Sequence, residues 1–209
     1  MQVLPYKSYL LAVLLLKFVS VSLTCTCQSK HPQTTICQSE WAFLGTMQGS
    51  QNFTGDNGKV QHKYEIYIHK VIKDIKSTLK NKAITVVITP SLLDDCAVHL
   101  QKDVKAVFTG SFDGFNAPTM NKCDWHEEYS KVPRCQRRNL FRKFYEANCG
   151  CTVCQPGECP TDATPHCVWR TDGSCEHKHS HCAMYPGCNK CSWRRCVSFY
   201  ECEDESDTS

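Results

Sequence analysis

The triplet Cys25-Thr26-Cys27 follows directly on an apolar leader. Cleavage after Thr24 would make Cys25 the first residue of the mature chain. A terminal cysteine held in a disulfide would present its α-amine beside its own carbonyl at a fixed position, and these two groups can close a five-membered chelate ring on a metal ion. The amine must be neutral to donate its lone pair, and an α-amino pKa of about 7.7–8.0 leaves part of it neutral near pH 7. This chemistry suits a coordination position left open on a zinc ion.

The first 24 residues have the three parts of a secretory signal peptide. Lys7 supplies positive charge, residues 10–16 are apolar, and Ser22-Leu23-Thr24 is a cleavage site of mostly small residues. A membrane anchor is the alternative, but Lys17 interrupts the apolar run well before the ~20 residues that a spanning helix needs. We therefore expect a secreted protein of the extracellular space or matrix, without a membrane span.

All 17 cysteines follow residue 24, and this density in a secreted chain indicates a disulfide framework. Because 17 is odd, at least one thiol is free, pairs with another chain or caps a small thiol. The chain carries 24 basic and 21 acidic residues, which gives no argument for a nucleic-acid partner. No HExxH, serine-elbow or other catalytic set stands out, so the sequence argues against an enzyme.

Short strand-like segments dominate the chain before residue 133. Alternating apolar residues and β-branched runs predict strands within residues 63–73, 83–89, 97–100, 106–112 and 119–125. The apolar spacing predicts a helix over residues 134–148 and a second candidate helix over residues 37–43. The predicted fold class is mainly β with flanking helices, built on a small closed or nearly closed β-barrel.

Cysteine spacing divides the chain into parts. Seven cysteines are widely spaced from Cys25 to Cys149, whereas ten crowd the stretch from Cys151 to Cys202. We predict a domain over residues 25–149, a cysteine-rich subdomain over residues 150–202 that needs disulfides for its stability, and an acidic, disordered tail over residues 203–209.

Two other patterns suggest sites. Asn52-Phe53-Thr54 is an N-glycosylation sequon in a polar stretch. Four histidines lie among cysteines of the subdomain, namely His166, His177, His179 and His181. Such a cluster can bind metal, but secretion favours disulfides, and we expect a solvated loop there.

The stretch CTCQSKHPQTTIC, from Cys25 to Cys37, closely resembles the mature N-terminus of the tissue inhibitors of metalloproteinases (TIMPs). Further similar landmarks are Tyr64-Glu65-Ile66, Ile88-Thr89-Pro90 before Cys96, Cys123-Asp124, the run YEANCGC over residues 145–151, Cys167-Val168-Trp169 and Cys191-Ser192-Trp193. The resemblance implies a netrin-like (NTR) module, which is an OB-like five-stranded β-barrel with flanking helices, followed by a small disulfide-rich C-terminal subdomain.

The resemblance also implies a disulfide pattern. The six implied pairs are Cys25–Cys96, Cys27–Cys123, Cys37–Cys149, Cys151–Cys191, Cys154–Cys159 and Cys167–Cys182, with Cys188 as an alternative partner of Cys151. Five cysteines depart from the family: Cys135, Cys175, Cys188, Cys196 and Cys202. Sequence alone does not determine their pairing, and we expect two further bridges and one odd thiol.

The function that the resemblance implies is stoichiometric inhibition of secreted or membrane-bound zinc metalloproteases of the matrix metalloproteinase type. The α-amine and carbonyl of Cys25 would bind the target's catalytic zinc, and the inhibitor would have no cofactor of its own. Thr26 would enter the specificity pocket. The residues expected to contact the protease are Cys25, Thr26, Cys27, Gln28, Ser29, Leu92, Leu93, Asp94 and Asp95.

Three questions stay open at this stage. Ser29, Leu92 and Leu93 differ from residues common in the family, so the sequence does not say which proteases are targets. A latent protease is a further possible partner, bound through the C-terminal subdomain. The alternative function is a non-inhibitory netrin-like module that binds a matrix component or receptor, which would not need a cysteine as its first residue.

Overall fold

The computed structural model describes residues 25–55, 58–170 and 174–207, with side chains described as far as residue 204. The predicted signal peptide lies outside these residues. The fold is mainly β, with short helices and many disulfides, as predicted. In chain order the elements are α1 (Pro32–Gln38), β1 (Trp41–Thr54), β2 (Val60–Asp74), β3 (Ile84–Pro90), β4 (Lys105–Phe112), β5 (Pro118–Thr119), β6 (His126–Glu128), α2 (Arg134–Phe141), α3 (Phe144–Ala147), β7 (Thr152–Cys154), β8 (His166–Val168), α4 (Cys175–His179), β9 (Ser180–Met184), β10 (Cys191–Arg195) and α5 (Ser198–Asp207).

Five strands close into a ring. Their order is β1-β2-β3-β5-β4, and β4 pairs back to β1 from Trp41–Gly110 to Thr46–Lys105. The pairings are antiparallel except for β3 with β5, which run parallel through Ile88 and Thr119. Strand β6 adds to the outer edge of β4. Below, "the strand ring" means β1 to β5.

The interior of the strand ring is a continuous apolar core. It contains Trp41, Phe43, Met47, Tyr64, Ile66, Ile68, Val87, Val98, Ala106, Phe108 and Met120, all buried. Gly110 is required where β4 passes Trp41, because a Cβ at this position would collide with the Trp41 ring and the Thr119 carbonyl. The close approach of β1, β4 and β5 therefore depends on a residue without a side chain.

Helices α1, α2 and α3 cover one outer face of the strand ring. The second apolar cluster, beneath them, contains Ile36, Ala42, Leu44, Ile72, Val107, Val132, Leu140 and Tyr145. Strand β1 is therefore buried on both faces at its start, where residues 41–45 are all buried. A strand covered on both faces shows no alternation of apolar and polar residues, which explains why the sequence did not reveal it.

The predicted helix over residues 37–43 is wrong. Helix α1 begins earlier because His31 caps it, with Nδ1 accepting a hydrogen bond from the Gln33 N–H at 3.1 Å, and because Pro32 suits the first turn. The segment from Trp41 onward is strand β1.

Three other element predictions need correction. Residues 97–100 form no strand, and within residues 119–125 only Thr119 belongs to one. The helix over residues 134–148 is broken, because Lys143 adopts a left-handed φ of 58° between α2 and α3. Helix α5 ends at Asp207 and includes the first part of the acidic tail, residues 203–207.

The C-terminal part, residues 150–207, contains two small sheets, parallel β7–β8 and antiparallel β9–β10. Its buried cluster consists of Cys151, Val153, Cys167, Trp169 and Cys182. The domain limits stay predictions. The C-terminal part contacts α1 directly, since the Gln33 side chain donates to the Cys182 carbonyl and accepts from the Cys182 N–H, both at 2.8 Å.

Among the residues that the structure describes, eight disulfides are formed. Six are Cys25–Cys96, Cys27–Cys123, Cys37–Cys149, Cys151–Cys191, Cys154–Cys159 and Cys167–Cys182, the same pairs that the resemblance implies. The other two are Cys135–Cys196 and Cys175–Cys202. Cys188 is exposed and unpaired in the turn between β9 and β10, so it is not the partner of Cys151.

Candidate functional site

The N-terminal segment, residues 25–30, has no regular secondary structure and is attached at two points. Cys25 is joined to Cys96 and Cys27 to Cys123, with Cα–Cα distances of 5.1 and 5.0 Å. The two bridges lie side by side, since the Cys25 and Cys123 sulfur atoms are 3.8 Å apart. Cys25 is half-buried, whereas the four residues after it are exposed. The segment therefore presents side chains to solvent from a backbone held at both cysteines.

The Cys25–Cys96 bridge brings a second loop, residues 91–96, beside the N-terminal segment. This loop is a compact turn: the Asp94 N–H donates to the Ser91 carbonyl at 2.7 Å, and Asp94 Oδ1 accepts from the Cys96 N–H at 2.8 Å. Leu93 stands at its apex with 97% of its surface exposed. We call residues 25–29 and 91–96 together the N-terminal ridge.

The other residues of this loop that were predicted to contact a protease are less exposed than Leu93 or have a role in the turn. Leu92 is half-buried, and Asp94 and Asp95 are exposed. Asp94 uses its carboxylate to shape the turn, so its role within the chain is structural. The loop also lines a groove with Ala97, Val98, His99, Lys122 and His126.

A third loop, residues 121–124, supports the N-terminal ridge. Its Lys122 N–H donates to the Cys96 carbonyl at 2.9 Å, and Asn121 Oδ1 accepts from the Cys123 N–H at 2.8 Å. Burial raises the pKa of the neighbouring Asp124, although the Asn121 N–H and the charges of Lys30 and His126 act in the opposite direction. Sequence reasoning named Cys123 and Asp124 but missed Asn121 and Lys122, which the expected Cys27–Cys123 pair could have indicated.

The N-terminal ridge also contacts the C-terminal part. The Gln28 side chain donates to both carboxylate oxygens of Glu158, at 3.1 and 3.3 Å. Glu158 lies in the small loop closed by Cys154–Cys159. Nothing in the sequence signals this contact, because 130 residues separate the two side chains.

Within the described residues, no group of free cysteine thiols is available to bind a metal ion. Their three close groups of potential ligand atoms are Cys25–Cys27–Cys123, Cys151–Cys182–Cys191 and Cys154–Cys159–His166, and every one of these cysteines is in a disulfide. The chemistry of the ridge therefore lies in its backbone groups and in the side chains that it exposes.

The sequon asparagine lies on strand β1. Asn52 is exposed and faces His62 of β2 in the strand register. Its Oδ1 is 2.6 Å from His62 Nδ1. The amide is thus presented from a strand, whereas the sequence suggested only a polar stretch.

Comparison with known proteins identifies the class. A family model described as tissue inhibitor of metalloproteinase matches residues 23–196, so the chain belongs to this family. A relative from Drosophila melanogaster, "Tissue inhibitor of metalloproteinase", is 24% identical over 189 residues, covering 85% of this chain and 85% of its own. The family resemblance predicted from the sequence is therefore confirmed. Within the described residues, no helix has the length and apolar character needed to cross a membrane.

Proposed function

We propose that this protein is a secreted inhibitor of zinc metalloproteases of the matrix metalloproteinase type, with the N-terminal ridge filling the protease cleft. The proposal rests chiefly on the double attachment of Cys25 and Cys27 to neighbouring loops. A segment that is ordered before binding loses less affinity to ordering when it enters a cleft. Membership of the inhibitor family supports the same function.

Cys25 carries the proposed mechanism. Once the leader is removed, its α-amine and carbonyl displace the water from the open position of the target's catalytic zinc. Only the neutral amine can donate its lone pair, so zinc binding releases the remaining proton. Affinity should therefore fall as the pH drops below the amine pKa of about 7.7–8.0.

The neighbouring residues give the proposed fit to the target. Thr26 enters the specificity pocket, and Cys27, Gln28 and Ser29 continue along the cleft. Leu93 adds an apolar contact beside them, because its exposed side chain would be removed from water in the complex. Leu92, Asp94 and Asp95 complete this second contact segment.

Several further features belong to the same proposal. The strand ring is an OB-like barrel of the netrin type, since β4 pairs back to β1. The protein reaches the extracellular space or matrix, which suits its eight disulfides, and it carries a glycan on Asn52. A latent protease is a second partner, bound through the C-terminal part.

The decisive experiment extends the N-terminus by one residue. The mature protein starting at Cys25 is titrated against a panel of matrix metalloproteinases, beside a form with one added alanine and a form with an acetylated amine. We expect both modified forms to lose nearly all inhibition, because neither presents a primary amine at Cys25. Full inhibition by the extended form would overturn the zinc mechanism, and failure of the unmodified form on every protease would favour the non-inhibitory binding module.

A second variant tests the specificity pocket. Thr26→Gly removes the side chain proposed to enter that pocket, so the inhibition constant should rise while the unfolding midpoint stays unchanged. Thr78→Gly is the matched control, because Thr78 is an exposed threonine outside the N-terminal ridge. An unchanged inhibition constant for Thr26→Gly would contradict the role given to Thr26.

A further inference from the structure

We infer that one edge of strand β1, over residues 48–54, is a pairing site for a second copy of this chain, and that a glycan on Asn52 blocks this pairing. We call residues 48–54 the open edge. The inference rests on the proposed function only for the presence of that glycan. The pairing site itself follows from the strand register.

The open edge exists because β1 extends beyond its neighbour β4. The pairing of β1 with β4 ends at Thr46, opposite Lys105. On its other side β1 stays paired with β2 as far as Thr54, opposite Val60. Among the described residues, no strand besides these two pairs with β1. One side of the open edge therefore has no strand beside it.

The direction of the backbone groups on β1 follows from the neighbouring pair β2–β3. Along an antiparallel strand, these groups point alternately to one side and to the other. The Ile68 N–H donates to the Ala83 carbonyl, just before β3, at 2.8 Å. The register of β2 with β3 is regular from Tyr67 to Gln61. The even-numbered residues of β2 therefore direct their backbone groups to β3, and the odd-numbered residues direct theirs to β1.

This alternation directs the backbone groups of three β1 residues to the open edge. Ser50, Asn52 and Thr54 lie opposite even-numbered residues of β2, so their N–H and C=O groups point away from β2. A row of such groups is a template for another strand, and charged side chains are a common protection against it. None of residues 48–54 is charged. The side chains of the open edge therefore offer no such protection.

A second copy fits the open edge in an antiparallel arrangement about a two-fold axis. When Asn52 lies opposite Asn52 of the second copy, Ser50 lies opposite Thr54 of the second copy. All three residues then exchange hydrogen bonds across the axis, about six in total. The same three residues serve on both copies, so the open edge is complementary to itself.

The charges beside the open edge also suit a second copy. Glu65 lies opposite Gly49, and the Gly55 N–H donates to the Lys59 carbonyl at 3.0 Å. In the two-fold arrangement, Glu65 therefore shares a cross-strand row with Lys59 of the second copy. Among the described residues of β1 and β2, no row then contains two charges of the same sign, which would oppose pairing.

The side chain of Asn52 places its amide nitrogen where a glycan would block a partner strand. Its Oδ1 lies 2.6 Å from Nδ1 of His62 on β2, and since an amide oxygen only accepts, His62 donates. Nδ2, the atom that carries an N-linked glycan, lies across the carboxamide from Oδ1, away from β2. A partner strand would lie about 4.8 Å from β1, and at the two-fold axis two glycans would collide.

The test compares mature full-length forms that differ in the sequon. All carry Cys188→Ser, because the exposed thiol could link two copies covalently. Thr54→Ala removes the sequon and keeps Asn52, whereas the matched control Thr54→Ser retains the sequon. Mass spectrometry detects the glycan, and sedimentation measures the molecular mass up to about 1 mM protein, which covers weak association.

We expect the Thr54→Ala form to shift from monomer to dimer as its concentration rises, while the two forms with the sequon stay monomeric. Addition of Ser50→Lys should weaken this dimer about tenfold or more, because a lysine on an edge opposes pairing. Thr78→Lys adds the same charge at an exposed position elsewhere and should change dimerisation by less than about twofold. If Thr54→Ala does not fold, Asn52→Gln replaces it.

Hydrogen exchange locates the contact in the dimer. The N–H groups of Ser50 and Asn52 should exchange about tenfold or more slowly in the dimer than in the monomer, because they gain partners. Those of Gln51 and Phe53 should change little, since they point to β2.

Three results would overturn the inference. A form without the sequon that stays monomeric at every concentration would show that the open edge does not pair. A dimer that is insensitive to Ser50→Lys, or that leaves Ser50 and Asn52 unprotected, would use another surface. A natural protein that is monomeric without a glycan on Asn52 would show that the glycan is not what blocks pairing. The zinc mechanism is tested separately by the extended N-terminus, so the two can fail independently.

Discussion

The strand ring and the C-terminal part are stabilised in different ways. The ring buries large apolar side chains such as Trp41, Phe43 and Phe108 in its interior. The cluster of the C-terminal part contains three half-cystines beside Val153 and Trp169. A segment of this size cannot bury enough apolar surface by itself, so covalent links supply the missing stability.

The N-terminal ridge combines both kinds of stabilisation. It is built on the apolar strand ring, but disulfides hold its exposed segment in place. A change in the core should therefore unfold the ridge together with the ring, whereas reduction of the two bridges should release the ridge first. The domain of the strand ring meets the C-terminal part at the buried His31. Its ring centre lies 5.9 Å from that of Trp169 and 5.3 Å from that of Trp193.

The largest effect is expected for Trp41→Ala in the interior of the ring. Trp41 is completely buried, and truncation of such a side chain costs about 3–5 kcal/mol of unfolding free energy. Denaturant unfolding measures this loss. The control Ile84→Ala, at an exposed position of β3, should cost less than about 0.5 kcal/mol. Equal effects would mean that the interior of the ring does not dominate stability.

The next largest loss of unfolding free energy is expected on removal of the Cys135–Cys196 disulfide. This bridge joins α2 to the C-terminal part. Replacing both cysteines by alanine opens a link between residues 61 positions apart, and we expect a loss of about 2–4 kcal/mol. The same change at Cys154–Cys159, which spans 5 positions, should cost less, because a shorter loop constrains the unfolded chain less. Calorimetry should show the C-terminal part melting separately only in the first variant.

Acid should weaken the junction between the two regions. Burial, followed by the charges of His177 and His181, lowers the pKa of His31 to about 3, against the opposing effect of the Glu176 carbonyl. The folded state therefore binds fewer protons than the unfolded state. The stability that neutral His31 provides is complete above pH 6.5 and is lost as the pH falls towards 3. At pH 5 the loss should be about 2 kcal/mol.

Unfolding midpoints between pH 7 and 5 measure this loss. His31→Asn keeps an acceptor for the cap of α1 and removes the titrating ring, so its stability should depend less on pH. The comparison uses the slope with pH, because the smaller side chain also lowers stability at every pH. A variant slope equal to that of the natural protein would show that His31 does not govern the acid response.

The smallest effect is expected at the contact between Gln28 and Glu158. Both side chains are exposed, so their hydrogen bonds compete with water, and Glu158→Ala should change protease inhibition by less than about threefold. A double-mutant cycle with Gln28→Ala isolates their coupling. Additive effects of the two substitutions would mean that the C-terminal part does not influence the ridge through this contact.

Local patterns predicted part of the fold. The predicted strands over residues 63–73, 83–89 and 106–112 lie largely within β2, β3 and β4, because each has a run or alternation of apolar residues typical of a strand. The helix at residue 134 begins after Pro133, as its sequence indicates. Strand β1 escaped prediction because helices cover its outer face, and Lys143 broke a helix whose apolar spacing suggested continuity.

For the candidate site, the sequence by itself determined the candidate residues. It supplied the cysteine pair at residues 25 and 27, the family resemblance and the odd number of cysteines, since these depend only on residue types and spacing. Only the tertiary structure decided which distant groups meet. It placed Glu158 on Gln28, left Cys188 unpaired, and ended the pairing of β4 with β1 before the open edge. These contacts arise from the closure of the strand ring and from helix packing. A local sequence pattern does not determine which distant strand or helix packs beside a given element.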